Sequence, residues 1–429
     1  MTAISGDRGP PDRLARRLGT RDAVVIGLGS MVGAGVFAAF APAAAAAGSG
    51  LLLGLLLAAA VAACNATSSA ELAAVYPESG GTYVYGRERL GHFWGYLAGW
   101  GFVTGKTASC AAMALTFSSY AAPGLARPLA AAAVVGLTAV NYRGVTKTAA
   151  LTRVLLALVL AALAAAVVAA VFGGQADPGR LGSPLAPPTG TGSTGALAAL
   201  YGILQAAGLL FFAFAGYARI ATLGEEVVEP ERTIPRAVPL ALGIALGVYA
   251  AVALAVLLVL GPGGLAGSHA PLADATTAGS LGWLAPAVRA GAVVAALGSL
   301  LSLLVGVSRT VFAMASGHDL PSWLEAVHPR YRIPHRAELA VAALVCCTVL
   351  VADLRSAIGF SSFAVLAYYA IANASAWTLP PERRRWPRAL AVGGVAGCAV
   401  LAASLPLASV AAGAAVLAAG ALAWLARRR

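Results

Sequence analysis

Charged residues are scarce in this chain: Asp, Glu, Lys and Arg together make up 11% of it, while 59% is hydrophobic. An ordinary soluble domain carries about twice that share of charge. Acidic groups are the scarcer sign, 17 against 29 basic residues, and none of them lies deep in an apolar run. The five cysteines, Cys64, Cys110, Cys346, Cys347 and Cys398, fall inside apolar stretches without metal-ligand spacing, which leaves them as small packing residues. The five histidines, His92, His269, His318, His328 and His335, sit in loops or at helix ends and form no metal-like cluster. The longest polar connections, Gly173 to Gly195 and Gly261 to Gly282, are glycine-rich and too short for a soluble domain. A receptor would need a sizeable sensor region and an enzyme a catalytic constellation. Neither is visible, and no cofactor or metal is implied.

What the chain has instead is a succession of apolar runs, each long enough to cross a bilayer at about 20 residues per span. Twelve spans are expected, at 22–48, 51–75, 92–121, 125–141, 149–172, 197–223, 237–261, 285–315, 337–352, 357–378, 389–405 and 408–426. The last two form one alanine-rich stretch split by Ser404-Leu405-Pro406. Arg13 to Arg21 with the following apolar run and Ala43 to Ala47 has the outline of a secretory signal, but the run is too long and the later spans continue its topology.

The net charge of +12 raises the question of nucleic acid, which the distribution of the basic residues answers in the negative. They do not form a patch. Arg8, Arg13, Arg16, Arg17 and Arg21 precede the first span; Arg87 and Arg89, Arg143 and Lys147, Arg232 and Arg236, Arg330 to Arg336, Arg383 to Arg388 and Arg427 to Arg429 occupy every second connection. The alternate connections hold little beyond Arg127, Arg180 and Arg355. By the positive-inside rule both termini are cytoplasmic, which places a multi-pass protein in the plasma membrane. The division expected is a cytoplasmic segment 1–21, a first repeat 22–172, a second repeat 197–378 and a trailing pair 389–426. Since the first span enters from the cytoplasm and the sixth from outside, two five-helix halves starting there have opposite orientation, an inverted repeat.

Two spans are interrupted in corresponding places, by Gly29-Ser30-Met31-Val32-Gly33-Ala34-Gly35-Val36-Phe37 and by Phe211-Phe212-Ala213-Phe214-Ala215-Gly216-Tyr217-Ala218-Arg219. A helix break at bilayer depth persists only where protein shields it or a cavity meets it. A matched pair of such breaks is the pattern of an alternating-access transporter. Gly33 and Gly35 lack a Cβ, so the backbone there can unwind and approach a ligand. The half-helix that follows presents N–H groups suited to a carboxylate. Gly29 and Gly33 also fit a small-xxx-small packing face. At the second break Gly216 supplies the same freedom, the carbonyls of Met31 and Ala215 suit an ammonium group, and Phe212 is a gate candidate.

Ionisable groups inside a membrane are functional candidates. Lys106 lies roughly 20 Å along its helix from His92 at 1.5 Å per residue, too deep to reach the interface. It has no deep carboxylate partner, so it is uncharged, paired with the carbonyls of the helix breaks, or matched to an anionic substrate group. Arg219 lies near the cytoplasmic end of its span and can snorkel. Ser299, Ser302 and Ser308 are candidates for a sodium site or for bonds to their own helix. The loop Tyr76 to Tyr85 mixes turn formers with aromatics and suits a segment lying along the membrane face.

These residues resemble the amino acid, polyamine and organocation (APC) superfamily of secondary transporters. Gly33-Ala34-Gly35-Val36-Phe37 is similar to its first-helix break, Pro77-Glu78-Ser79-Gly80-Gly81-Thr82-Tyr83 to its first cytoplasmic loop, and Gly95-Tyr96 with Gly99-Trp100 to its third helix. Phe211 to Gly216, Glu225-Glu226-Val227 and Pro230 to Pro235 resemble its sixth helix and the loop beyond; Arg309, Ala313-Met314-Ala315, Leu320-Pro321 and His328-Pro329 resemble the close of its eighth. The resemblance implies an all-α membrane protein of five plus five inverted helices with the first and sixth broken, two further C-terminal helices, and a central amino acid site. Carried over, it puts the substrate carboxylate on the Ala34 and Gly35 amides and the amino group on the Met31 and Ala215 carbonyls. Phe212 falls at the gate, and Phe102 and Cys110 near the substrate side chain. A fifth-helix lysine of proton-coupled relatives is absent from Leu155-Leu156-Ala157-Leu158-Val159-Leu160, and a third-helix glutamate of the cationic branch is replaced by Gly105. The expected activity is therefore carriage of a neutral or acidic amino acid, coupled to H+ or by exchange, with Na+ the second choice of ion. A polyamine or organocation exchanger is the alternative.

Overall fold

In a bilayer each backbone N–H and C=O has to be satisfied inside the protein, so a chain this apolar is confined to helices or a closed barrel. The computed structural model describes residues 18–76, 80–143, 149–183, 185, 195–221 and 227–427, and these are nearly all helical, with no strand beyond an isolated bridge between Leu18 and Val227. Most of the 1–21 segment, Pro77-Glu78-Ser79, Lys147, part of the Gly173 to Gly195 connection, the end of the sixth span with Glu225 and Glu226, and Arg428 and Arg429 lie outside the described residues.

The first expected span is divided into α1 (Thr20–Met31), α2 (Ala34–Ala38) and α3 (Phe40–Ala47). Helix α4 (Leu51–Val75) follows, then the short α5 (Thr82–Leu90), the 30-residue α6 (His92–Ala121), α7 (Ala126–Tyr142) and α8 (Ala149–Phe172). The sixth span is divided into α9 (Ala196–Phe214) and α10 (Ala218–Ala221). Beyond it run α11 (Pro230–Gly267), α12 (Pro271–Thr277), α13 (Ala285–Ser316), α14 (His335–Val351), α15 (Leu354–Trp377), α16 (Arg388–Ser404) and α17 (Leu407–Arg427). Among the described residues, nine helices are long and apolar enough to cross a membrane by those two criteria. Helix α6 falls outside that set although it is long, because Lys106, together with glycine and hydroxyl residues, lowers its hydropathy; α14 and α16 are 17 residues each.

Two segments differ from expectation. Helix α11 begins at Pro230, seven residues ahead of the expected 237, because proline fits a first turn where its missing N–H is not needed. Gly261, at φ 65°, then turns its course. Within the connection expected as a glycine-rich loop, α12 forms because Leu272, Ala273, Ala275 and Thr276 bury one side of it against the bundle.

Helix α6 packs on α13 and α15, α13 on α8, α4 on α9, and α11 on α1 and α4. Polar bonds join the helices where they are buried. Asn373 on α15 donates to Asn65 on α4 at 2.6 Å, and Ser109 on α6 meets Ser361 on α15 at 2.6 Å. At the α5 end of the bundle, Asp319 just beyond α13 accepts from Tyr83 at 2.8 Å and pairs with His92 at 3.0 Å, while Arg427 of α17 donates to its carbonyl at 2.6 Å. Burial and the hydrogen bond to Asp319 push the Tyr83 phenol up to about 12, so it remains a donor at neutral pH.

Glu71 on α4 anchors a second corner: its Oε1 accepts the N–H groups of Arg385 and Trp386, at 2.7 Å each, in the connection before α16. Hydrogen bonds to a charged acceptor contribute more than neutral ones. Glu71→Ala should lower stability by about 3 kcal/mol, read as a fall in the melting midpoint of the detergent-purified protein. Glu71→Gln, which keeps an acceptor oxygen, should recover most of that loss.

Candidate functional site

After Met31 the chain leaves the helix. Val32, at φ −78° and ψ 59°, forms an inverse γ-turn in which the Gly33 N–H donates to the Met31 carbonyl at 2.8 Å. Helix resumes at Ala34, so the N–H groups of Ala34 and Gly35 stand in a first turn that has no carbonyl of its own to offer them. At the second break α9 ends at Phe214, Ala215–Tyr217 makes one tighter turn, and α10 resumes at Ala218.

The two breaks lie directly against each other. A Cβ on Gly35 would stand 2.7 Å from the Cα of Ala213, and one on Gly216 would overlap the Ser30 carbonyl oxygen. Each break thus uses a glycine to approach the backbone just ahead of the other. Gly33 serves a different contact, since a Cβ there would overlap the hydroxyl of Ser299 on α13. The glycines that the sequence offered for close approach to a ligand are, in this state, used for close approach of protein to protein.

The carbonyls exposed by the breaks are already met. Tyr249 of α11, fully buried, has its hydroxyl 2.6 Å from the Met31 carbonyl and 3.0 Å from that of Ala213. One hydroxyl carries one proton, so it donates to one of the two at a time. The Ala215 carbonyl accepts from the Tyr369 hydroxyl at 3.3 Å and from Lys106 Nζ at 3.5 Å. Lys106 is only 7% exposed. Cys110, one turn further along α6, is fully buried beside it. The carbonyl end of a half-helix carries partial negative charge and attracts the ammonium, against the cost of burying that charge.

Of the residues chosen from sequence, the structure gathers Met31, Gly33, Ala34, Gly35, Ala215, Gly216, Lys106 and Ser299 at this crossing. Phe212 is buried on α9 ahead of the break, and Phe102 packs on Tyr368 at 5.3 Å between ring centroids. Arg219 is exposed on α10. Ser302 is exposed and Ser308 buried on α13, their hydroxyls bonded to the carbonyls of Gly298 and Leu304. Tyr249 and Tyr369 escaped notice because they belong to no motif. A signal was present: tyrosine favours the membrane interface, so one near mid-span needs a buried partner for its hydroxyl.

The model of the amino acid permease family matches residues 22–380. The chain is 63% identical over 418 residues to an uncharacterized transporter of Mycobacterium tuberculosis (strain ATCC 25618 / H37Rv), covering 97% of this chain and 92% of that one. It is 25% identical over 361 residues to the branched-chain amino acid permease BcaP of Bacillus subtilis (strain 168), covering 79% and 74%. To the cationic amino acid transporter 6, chloroplastic, of Arabidopsis thaliana it is 26% identical over 402 residues, covering 87% and 66%. A match that runs from the first helix past α15, across both breaks, decides the matter: the chain belongs to the amino acid permease family of the APC superfamily.

Proposed function

We propose that this protein carries a neutral or acidic amino acid across the plasma membrane by alternating access, with the substrate held where the two broken helices cross. The observation that carries the reading is the reciprocal contact of the breaks, Gly35 on Ala213 and Gly216 on Ser30. Unpaired backbone at membrane depth is tolerated only at such shielded or cavity-lining points, and the first-turn amides of Ala34 and Gly35 offer donors to a carboxylate there.

The packing supports two related halves. Exchanging α1 for α9, α4 for α11, α6 for α13, α7 for α14 and α8 for α15 maps the packing among these ten helices onto itself, with α16 and α17 standing outside the exchange. Thus α6 lies on α15 as α13 lies on α8, and α1 on α11 as α9 on α4. The short α5, packed on α6 and α15, corresponds in the same way to α12, packed on α13 and α8. Rocking of one half on the other opens the crossing to either side. Both termini then lie in the cytoplasm, and coupling is to a proton or to a counter-substrate.

The names of the relatives divide the substrates between branched-chain and cationic amino acids. The charge at the crossing favours the former kind over the latter. Among the described residues the buried acids are Glu71, Asp319 and Glu338. The first two are bonded at the ends of the bundle, and the third faces Asn141 of α7 from the first turn of α14, so none stands at the crossing to meet a cationic side chain.

Three outcomes are expected in proteoliposomes. Gly216→Val should abolish amino acid uptake, since its side chain would displace the Ser30 carbonyl; uptake at the wild-type rate refutes the crossing as the site. Gly33→Ala should reduce uptake at least tenfold, and Ser299→Ala added to it should restore part of the loss by removing the overlapping hydroxyl. Lysine, arginine and putrescine should fail to compete with the transported amino acid, and strong inhibition by any of them overturns the preference for neutral or acidic substrates.

A further inference from the structure

We propose that Lys106 is the counter-ion for a substrate carboxylate, and that it leaves the Ala215 carbonyl when substrate arrives. The proposal rests on the permease reading and names the group that the crossing selects. Lys106 lies at the midpoint of α6, and its ammonium points at the second break, where it donates to the Ala215 carbonyl at 3.5 Å. An ammonium has three donors. One long bond to a neutral carbonyl leaves most of its capacity unused, in surroundings where an unpaired charge is costly. No carboxylate of the described residues pairs with it; the thiol of Cys110 lies beside it. The chain therefore holds a buried cation without an anion of its own, beside two helix breaks that touch.

The Ala215 oxygen has two lone pairs, and both have donors in this state, Lys106 and Tyr369. A zwitterion changes this arithmetic. When its carboxylate draws Lys106 away, one lone pair of Ala215 is released for an incoming ammonium group, so one movement of the lysine prepares both ends of the substrate. A free cation such as an amine lacks the carboxylate needed to move Lys106 and meets a like charge instead. Selection against amines without a carboxylate then comes from the resident lysine and requires no separate gate.

A carboxylate can be the α-carboxylate common to all amino acids or one in the side chain. Binding of leucine, leucinamide, aspartate and asparagine to the purified full-length protein separates these two sources. Leucine bound in preference to leucinamide marks the α-carboxylate; aspartate in preference to asparagine marks the side chain. Either preference should be present in the wild type, and Lys106→Met should weaken binding of the preferred acid by about 10- to 100-fold, the size of one charge-assisted hydrogen bond, while leaving that of its amide no weaker. Lys106→Arg, which keeps the charge, should keep the preference for acid over amide, and it carries the test if the Met variant does not fold.

Wild-type affinity for the acid in Lys106→Met overturns the proposal, as does loss of the acid preference in a stably folded Lys106→Arg. Unchanged affinity with a flattened pH dependence of uptake in Lys106→Met also overturns it and makes the lysine a proton carrier instead. If none of the twenty amino acids is taken up by proteoliposomes of the wild type, the permease reading fails first, and this one with it.

Discussion

Everything in this molecule follows from the cost of leaving backbone polar groups unpaired away from water. Along an unbroken helix that cost is met by the next turn. At Val32-Gly33 and at Ala215–Tyr217 it is not, and the groups set free have to find partners elsewhere. They find them in side chains of other helices: Tyr249 from α11, Lys106 from α6 and Tyr369 from α15. The two breaks are thereby tied to three of the helices that surround them, and no one of these can shift without changing what the broken backbone is bonded to.

That arrangement makes the crossing sensitive to movement. The Tyr249 hydroxyl has one proton for two carbonyls, at 2.6 and 3.0 Å, one from each broken helix. A small change in the relative position of α1 and α9 is enough to move the bond from one to the other. Aromatic contacts surround the same point, with Phe214 against Tyr249 at 5.1 Å, Phe211 against Tyr369 at 5.8 Å and Tyr217 stacked on Tyr369 at 5.0 Å. The middle of the bundle is thus built from shape-dependent contacts and single hydrogen bonds. Apart from Lys106, its charged bonds, Glu71 to the α15–α16 connection and Asp319 to Tyr83 and His92, lie nearer the ends.

Several elements were fully legible in the sequence. Helices α4, α6 and α8 span the residues expected of them, because a bilayer of given thickness imposes a length that can be counted from the apolar runs. The family was legible as well, since its motifs depend on glycine and proline at fixed places in the chain, and the match over residues 22–380 bears that reading out. The start of α11 was less so: Pro230 to Pro239 looks unsuited to a helix, yet Pro230 sits at a first-turn position and α11 continues through Pro235 and Pro239.

The candidate site divides along the same line. That two spans are broken, and where, was legible in the sequence from the matched positions of Gly33-Ala34-Gly35 and Ala215-Gly216 in the two halves, since glycine permits a break without imposing one: α6 stays helical through Gly95, Gly99, Gly101 and Gly105. The depth of Lys106 was likewise a matter of counting residues. What the breaks face was decided only by the tertiary structure: Ser299 rather than Ser302 against Gly33, Gly35 against Ala213, Gly216 against Ser30, and Lys106 and Tyr369 on one carbonyl. Those partners are separated by a hundred residues or more in most cases, and helices of similar composition have no local feature that selects one neighbour over another. The choice comes from how the whole set of helices packs, which no single segment encodes.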